Sequence, residues 1–338
     1  MSRIVIFGAT GTVGVYTALH LKEQGHEVYA VGRRKSDNGF FADYSIPYYS
    51  VDIVQKDSFS KLPHEGIDCV IHYAGAMPAR MKGYNPQEYI DTIITGTLNV
   101  LEYTRMSGAS KIVFTQSISD CFWMVKDATP IPADIVRKFP LNNDHSIYVI
   151  AKNAAVDLIE HYYYKYGLAR FILRLPTIYL YHPNPYYYVN GEKQEMFYRQ
   201  FIDKAIAGEP IDIWGDASKV KEIVYVKDFI QIVNCCVNAT IDGGFYNVGE
   251  ERCVSLDEQV KGIVDVFGRE GKKSPIRYLP EMPDPSEFVF DISKTKNELG
   301  YQPSYDYRSS LVDMKKEMEN NPFEKLWGKE EDYRNCND

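Results

Sequence analysis

The sequence predicts a doubly wound α/β fold, in which helices cover both faces of a parallel β-sheet. Short apolar runs typical of buried strands alternate with amphipathic segments typical of helices. The strand-like runs are RIVIFGA, EVYAVGR, CVIHYAG, KIVFTQS and RFILRLP. The helix-like segments are VGVYTALHLKEQG, PQEYIDTIITGTLNVLEYTRMSG and IYVIAKNAAVDLIEHYYYKYG, each of which ends in a glycine. This alternation indicates parallel strands joined by crossover helices.

The alternation weakens after about residue 176, where segments rich in proline, tyrosine and charge appear, such as HPNPYYYVNGEKQ. The stretches VYVKDFIQIVNCCVNAT and YNVGE look regular again. We therefore expect a first domain over 1–176, with 223–266 returning to it, and a smaller, discontinuous α/β lobe over 177–222 and 267–330. Residues 331–338 are expected to form a frayed tail.

Composition restricts the partners and the location of the protein. The 338 residues carry a net charge of −8, which argues against a nucleic-acid partner held by bulk electrostatics. The six cysteines form no CxxC pair and are expected to be reduced thiols. With no signal-peptide pattern and no run long enough to span a bilayer, we expect a cytoplasmic protein and no membrane partner. The histidines are scattered without the spacing of metal ligands, so no metal site is predicted. His72 is interpreted as a core residue.

The segment Gly8-Ala9-Thr10-Gly11-Thr12-Val13-Gly14 stands between the first strand and the first helix. Gly8 permits a tight turn, Gly11 lets the backbone approach a pyrophosphate, and Gly14 lets the helix pack on the strand. The N–H groups at the start of the helix are free for the phosphates. The pattern and its strand-helix context predict a Rossmann-type dinucleotide site, the alternative being an ordinary glycine-rich turn.

The end of the second strand bears on the choice of cofactor. An acidic residue there would bind the ribose 2′-OH of NAD, whereas VGRRKSD offers Arg33 and Arg34, whose guanidinium groups suit a 2′-phosphate. NADP is therefore preferred over NAD. The alternative is that one arginine stacks on the adenine while the other is solvated. Asp37 lies somewhat late in the sequence for binding the ribose hydroxyl, but it stays a candidate for that role.

Tyr148 precedes Lys152 by four residues on a predicted helix, so the two side chains share one face. A phenol with a reference pKa near 10 needs a nearby cation to act as a base at neutral pH, and Lys152 can be that cation. The alternative is that Tyr148 is an ordinary member of a set of 27 tyrosines.

Taken together, the motifs resemble the extended short-chain dehydrogenase/reductases. The glycine pattern, VDI, HYAGA, GTLNVLE, FTQS and YVIAK occur in the order seen in that family, and WGDASKVKEIVYVKDF, YNVGE and DISKTKNELGYQP resemble its NAD-dependent epimerase/dehydratase branch. The resemblance runs from Ile4 to about Met318.

The resemblance implies a catalytic set made of Ser117, Tyr148 and Lys152. It also implies cofactor-binding residues, which are Gly8, Thr10, Gly11, Thr12, Val13, Gly14, Arg33, Arg34, Asp52, Ile53, Tyr73, Ala74, Gly75, Thr115, Tyr148, Lys152 and Leu175. The expected substrate-binding residues are Ser117, Thr177, Tyr179, Tyr187 and Lys221. Tyr186, Tyr187 and Tyr188 can stack on a sugar, although packing or a subunit contact explains them equally well.

Departures from the family pattern narrow the reaction. Ile118 and Ser119 stand where sugar dehydratases carry an acidic pair, and decarboxylases keep a glutamate at the position of Ser119, so both reactions are disfavoured. Asp120 is one residue late for either role. Lys221-Glu222 stands where the family usually has Arg-Asp. A lysine lacks the two-pronged guanidinium of arginine, so the case for the family's standard binding of a diphosphate is weaker.

These features predict an NAD(P)-dependent epimerase that acts on a sugar carbinol, with a nucleotide sugar as the first choice of substrate. An NADPH-dependent reductase or dehydrogenase of a ketone or alcohol is the alternative, because it needs the same three residues. A non-catalytic dinucleotide sensor is less consistent with the catalytic set. The resemblance also implies a homodimer formed through the helices that contain IDTIITGTLNVLEYTRM and Tyr148.

Overall fold

The computed structural model describes residues 1–124, 130–189 and 191–335. Its strands are β1 (Arg3–Phe7), β2 (Glu27–Gly32), β3 (Tyr48–Ser50), β4 (Cys69–His72), β5 (Lys111–Ser117), β6 (Ala169–Leu175), β7 (Thr177–Tyr179), β8 (Tyr186–Val189), β9 (Glu192–Glu195), β10 (Ile211–Trp214), β11 (Val220–Lys221), β12 (Ile223–Tyr225), β13 (Gly243–Asn247), β14 (Val254–Ser255) and β15 (Ile276–Leu279). Its helices are α1 (Thr12–Glu23), α2 (Pro86–Tyr89), α3 (Gly96–Met106), α4 (Ser146–Tyr166), α5 (Phe197–Ala207), α6 (Val226–Asn238), α7 (Leu256–Phe267), α8 (Ser293–Leu299), α9 (Tyr307–Asn320), α10 (Glu324–Trp327) and α11 (Glu330–Arg334).

The predicted fold class is confirmed by the central sheet. Within the described ranges, seven strands form one sheet in the order β13-β6-β5-β4-β1-β2-β3, and each neighbouring pair is parallel. The strand order reverses between β1 and β4, and ligands of doubly wound folds bind at the carboxyl ends of the strands beside such a reversal. The predicted helix over 86–108 contains a π-helical turn at Ile90–Thr95, which joins α2 to α3.

The sheet is buried on both faces because its strands carry apolar side chains on each of their two faces. In β1, Ile4 and Ile6 contribute to one hydrophobic cluster, whereas Val5 and Phe7 contribute to the cluster on the opposite face. Successive side chains of a strand point to opposite faces, so a continuous apolar run fits a doubly covered strand. The apolar runs in the sequence therefore mark the centre of the fold.

The chain after β6 forms smaller units beside this sheet. Strand β7 pairs in parallel with β12, and β10 pairs in parallel with β15. Strands β8 and β9 form an antiparallel hairpin, and β11 pairs with β14. Strand β13 returns to the central sheet and pairs with β6, while α6 packs against α1.

The end of the chain differs from the expected frayed tail. Helix α11 covers Glu330–Arg334, and Arg334 forms ion pairs with Glu195 and Asp203. These contacts hold residues 331–335 against the chain, while 336–338 lie outside the described residues. Among the described helices, none is long and apolar enough to cross a membrane.

Candidate active site

A glycine-rich turn links β1 to α1. Gly8 has a φ of +87°, and a Cβ there would lie 2.9 Å from the backbone nitrogen of Ala74. A Cβ on Gly14 would lie 2.2 Å from the carbonyl oxygen of Gly8, so only glycine permits this approach of helix to turn. Helix α1 begins at Thr12, and the first N–H groups of a helix have no partner within it. The turn therefore has the shape and the donors that a phosphate requires.

A cavity of about 600 Å³ opens over this turn, beside the carboxyl ends of β1, β2 and β4. Its volume lies in the range of small-molecule sites. The predicted cofactor-binding residues that line it are called the N-terminal wall: Gly8, Thr10, Gly11, Thr12, Val13, Gly14, Arg33, Arg34, Asp52, Ile53, Tyr73, Ala74 and Gly75. The structure thus brings together residues from four separate turns of the first 75 residues.

Some residues that line the cavity were missed by the sequence analysis. Trp327 and Tyr333 come from the end of the chain and His182 follows β7; these three residues are called the C-terminal wall. No motif marks them. The one available signal was the presence of two aromatic residues in the otherwise charged stretch KLWGKEEDYR.

Arg33 and Arg34 both line the cavity after β2, as the sequence predicts. The Nη1 of Arg34 donates a hydrogen bond to the carbonyl oxygen of Leu326 at 2.5 Å. Asp37 is 8% exposed, and its carboxylate accepts hydrogen bonds from two backbone N–H groups of its own loop. Because Asp37 is engaged in this way, arginines rather than a carboxylate border the cavity after β2.

The predicted catalytic residues meet at the carboxyl end of β5. Ser117 ends this strand, and Tyr148 and Lys152 lie one turn apart on α4. Burial raises the pKa of Tyr148 to about 12, and a hydrogen bond with Ser117 opposes that rise. Burial lowers the pKa of Lys152 to about 7. The Nζ of Lys152 donates to the carbonyl oxygen of Thr115 at 2.7 Å, which ties α4 to the strand that carries Ser117.

The surroundings of Lys152 are apolar. Its Nζ lies 4.4 Å from the ring centroid of Phe114. His72, at the end of β4, is fully buried, and its Nε2 lies 3.0 Å from the hydroxyl of Thr97. Burial and the charge of Lys152 lower the pKa of His72 to about 3, so this imidazole is neutral. His72 is therefore a core residue, as its position in the sequence suggests.

A short chain of hydrogen bonds leads away from Ser117. Its hydroxyl donates to the hydroxyl of Ser119 at 3.0 Å, and Ser119 Oγ lies 3.0 Å from Nε2 of His145. The imidazole ring of His145 is 5.3 Å from the ring of Tyr148. A hydroxyl joined to an imidazole thus occupies the place where related dehydratases were expected to carry an acid.

Asp120 is engaged in a buried ion pair. Arg174 donates to both carboxylate oxygens of Asp120, at 2.9 and 3.0 Å. The side chain of Asp120 is 0% exposed and that of Arg174 is 1% exposed. Arg174 also donates to Asn247 and to the carbonyl of Ala133. The two-point contact fixes the orientation of the Asp120 side chain. Both of its oxygens are therefore engaged by Arg174.

The predicted substrate-binding residues, including Ser117 on β5, lie on strands outside the lining described for the cavity. Thr177 and Tyr179 belong to β7, where Tyr179 is 1% exposed. Tyr187 is half-buried in the β8–β9 hairpin. Lys221 belongs to β11, and burial lowers its pKa. Leu175, predicted to contact the cofactor, ends β6.

The sheet order, the glycine turn and the Ser117, Tyr148 and Lys152 set define an extended short-chain dehydrogenase/reductase. Residues 4–249 match the model of the NAD dependent epimerase/dehydratase family. The chain belongs to this family of enzymes, and the predicted membership is confirmed.

Similar curated proteins include a putative UDP-glucose 4-epimerase of Methanocaldococcus jannaschii, 26% identical over 94% of this chain and 99% of the relative. UDP-glucuronate 4-epimerase 1 of Arabidopsis thaliana is 24% identical over 91% of this chain and 74% of the relative. Both are similar along most of this chain.

Among solved structures, the UDP-glucose 4-epimerase of Thermotoga maritima with UDP-glucose superposes with a TM-score of 0.75 at 21% identity, covering 94% of this chain and 99% of that chain. A mutant UDP-glucuronic acid 4-epimerase of Bacillus cereus, in complex with a fluorinated UDP-glucuronic acid and NAD, gives 0.73 at 20% identity, with 94% and 99% covered. At this identity, the likeness establishes the fold.

Proposed function

We propose that the protein is an NAD(P)-dependent epimerase that inverts a sugar carbinol, with a nucleotide sugar as substrate. The observation that carries the proposal is the Ser117, Tyr148 and Lys152 set, which lies at the same edge of the sheet as the cavity. Asp120 is held by Arg174 and position 119 is a serine, so elimination lacks its acid and base. The epimerase names of the relatives support the same reaction.

Tyr148 is the proton carrier in this proposal. It takes the proton of the carbinol hydroxyl and returns it to the ketone oxygen after the sugar has turned its other face, while Ser117 donates a hydrogen bond to that oxygen. The pKa of Lys152 near 7 means that its charge changes in the neutral range, where it favours the phenolate of Tyr148. The dinucleotide, when bound, accepts the hydride and gives it back.

The cavity fits a dinucleotide, because the glycine turn leaves no space for side chains where a pyrophosphate would approach. We propose that Thr115, Tyr148, Lys152 and Leu175 complete the site. Arg33 is proposed to bind a 2′-phosphate, which favours NADP. NAD is the alternative, supported by the neighbour structure that contains it.

The sugar is proposed to lie between Ser117 and the second lobe, near Thr177, Tyr179, Tyr187 and Lys221. The UDP-sugar names of the relatives support a nucleotide sugar. Lys221 offers a cation to a phosphate, and the tyrosine rings of the β8–β9 hairpin offer stacking surfaces. Removing the charge with Lys221→Met is expected to raise KM with little change in kcat, measured with a UDP-sugar.

A reductase is the second candidate, and the Ser117–Ser119–His145 chain favours it. A net reduction consumes a proton, which must come from solvent. His145 is an exposed residue at the outer end of this series of hydrogen bonds. An epimerase keeps its proton on Tyr148 between the two half-reactions and needs no such supply.

We also propose a cytoplasmic homodimer in which α3 and α4 pack against their copies. Leu98 on α3 and Ile150 and Tyr164 on α4 expose 37%, 40% and 80% of their surface, which supports an apolar contact on these helices. Light scattering of purified protein should give twice the 38.8 kDa mass of the chain.

The first experiment is to denature purified protein and identify any released dinucleotide. A near-stoichiometric amount supports an epimerase, which regenerates its cofactor in each cycle and can retain it. Protein that is empty and binds NADPH reversibly supports the reductase instead. Protein that binds neither NAD nor NADP in either redox state would contradict both candidates.

The matched variant is Tyr148→Phe, which removes the hydroxyl and keeps the ring. Loss of the proton carrier is expected to lower kcat by about 10²–10⁴-fold, while dinucleotide affinity stays within a few-fold of wild type. Epimerisation of a UDP-sugar, followed by chromatography, measures the effect. Turnover that persists in the variant would remove Tyr148 from its assigned role.

A further inference from the structure

Residues 321–334 are called the C-terminal segment, and two of them, Trp327 and Tyr333, line the cavity. On the side of the N-terminal wall, Trp327 Nε1 donates to the carbonyl oxygen of Thr10 at 3.0 Å. Arg34 donates to the carbonyl of Leu326 at 2.5 Å. The segment is thus bonded both to the glycine turn and to the loop after β2, the two places where a dinucleotide would place its pyrophosphate and its adenosine.

The other side of the segment is bonded to the chain beyond β7. Glu330 pairs with Arg199 at 2.7 Å, and Arg199 is only 1% exposed. The ring of Trp327 lies 4.3 Å from that of His182. The segment is therefore bonded both to the N-terminal wall and to the part of the chain that follows β7.

Trp327 is held in a fixed orientation. It is 4% exposed, and its ring packs 4.7 Å from the ring of Phe323. The hydroxyl of Tyr333 donates to the carbonyl oxygen of Trp327 at 2.5 Å. An indole that is buried on several sides can present its N–H in one direction only, and that direction is the glycine turn.

The bond to Thr10 acts on the peptide that joins Thr10 to Gly11. Its carbonyl accepts from Trp327, and its N–H donates to the carbonyl of Gly8 at 2.9 Å. Both polar groups of this peptide are therefore engaged, which fixes its plane. The N–H groups that follow, at the start of α1, are those that would face a phosphate.

We propose that the C-terminal segment is a structural part of the dinucleotide site: Trp327 holds the glycine turn in its phosphate-binding shape, and the bound dinucleotide leaves only when this segment opens. The inference rests on the proposed dinucleotide-dependent function and adds residues at the far end of the chain to its binding site. A cofactor enclosed in this way is retained between cycles, as an internally recycling enzyme requires.

The test uses the full chain and Trp327→Phe, which keeps an aromatic ring but removes the N–H donor. The matched control is Trp214→Phe, because Trp214 is 51% exposed on β10 and outside the cavity lining. Dissociation of NADPH, or of NADH if that is the bound form, is followed by stopped-flow fluorescence after displacement with excess oxidised dinucleotide. We expect dissociation to be about 3–10-fold faster in Trp327→Phe, in line with the loss of one hydrogen bond, and unchanged in Trp214→Phe.

A second variant, Trp327→Ala, removes the ring as well and is expected to accelerate dissociation further. Thermal unfolding without dinucleotide verifies that each variant is folded. Dissociation rates equal to wild type in folded Trp327→Phe and Trp327→Ala would overturn this inference and leave the proposed function standing. A wild-type protein that binds no dinucleotide would overturn both.

Discussion

The N-terminal wall and the C-terminal wall of the cavity are built in different ways. The N-terminal wall consists of turns that directly follow strands β1 to β4, and close backbone approaches require glycine at Gly8 and Gly14. The C-terminal wall depends on contacts between distant residues, such as the bond between Trp327 and Thr10, which are 317 positions apart. Local constraints leave a pattern in the sequence, whereas a long-range contact leaves none in a single chain.

Gly14→Ala gives the largest expected effect, because it breaks the N-terminal wall. The new Cβ would lie 2.2 Å from the carbonyl oxygen of Gly8, so α1 must move away from the turn. We expect dinucleotide affinity to fall by more than about 100-fold and stability to fall by about 1–3 kcal/mol, measured by titration and urea unfolding. Gly83→Ala is the control, since nothing lies within 4 Å of a Cβ there. Affinity retained in Gly14→Ala would contradict the assigned role of the turn.

Lys152→Met tests the lysine that is proposed to assist Tyr148 and that belongs to neither wall of the cavity. The pKa of Lys152 is about 7 in the fold and 10.5 as a reference, so between these values the unfolded chain binds a proton that the folded chain does not. The free energy of unfolding of the wild type should therefore rise from pH 7 to pH 9, by about 1–2 kcal/mol more than that of Lys152→Met. Urea unfolding without dinucleotide at both pH values measures the difference, and equal slopes would show that Lys152 is not desolvated.

Arg33→Ala and Arg34→Ala form a matched pair of variants that compares a residue of the N-terminal wall bonded to the C-terminal segment with one that is not. Arg33 is proposed to contact only the cofactor, whereas Arg34 is bonded to Leu326 in the C-terminal segment. Arg33→Ala should weaken NADP binding by about 10-fold and leave NAD binding unchanged, because one charge-assisted contact is lost. Arg34→Ala should weaken the binding of both dinucleotides by a few-fold. Isothermal titration with each dinucleotide measures these effects, and an equal loss of NAD and NADP affinity in Arg33→Ala would remove the 2′-phosphate assignment.

The sequence predicted most of the fold and one half of the cavity, for physical reasons. Buried parallel strands must be apolar on both faces, and Gly8 and Gly14 have no substitute where the backbone is crowded, so both leave readable signals. The spacing of Tyr148 and Lys152 follows from helix geometry. The pairing of Asp120 with Arg174 and the position of Trp327 could not be read in this way, because each depends on where a distant strand or helix lies.

Trp327 also gives the protein a built-in optical reporter. The chain has three tryptophans; Trp123 and Trp214 are 60% and 51% exposed, whereas Trp327 is 4% exposed at the cavity. A buried indole emits at shorter wavelengths than an exposed indole does. A reduced nicotinamide absorbs light at these shorter emission wavelengths. Filling the cavity with reduced dinucleotide should therefore quench the blue part of the tryptophan emission by energy transfer, so occupancy of the site can be followed without any added dye.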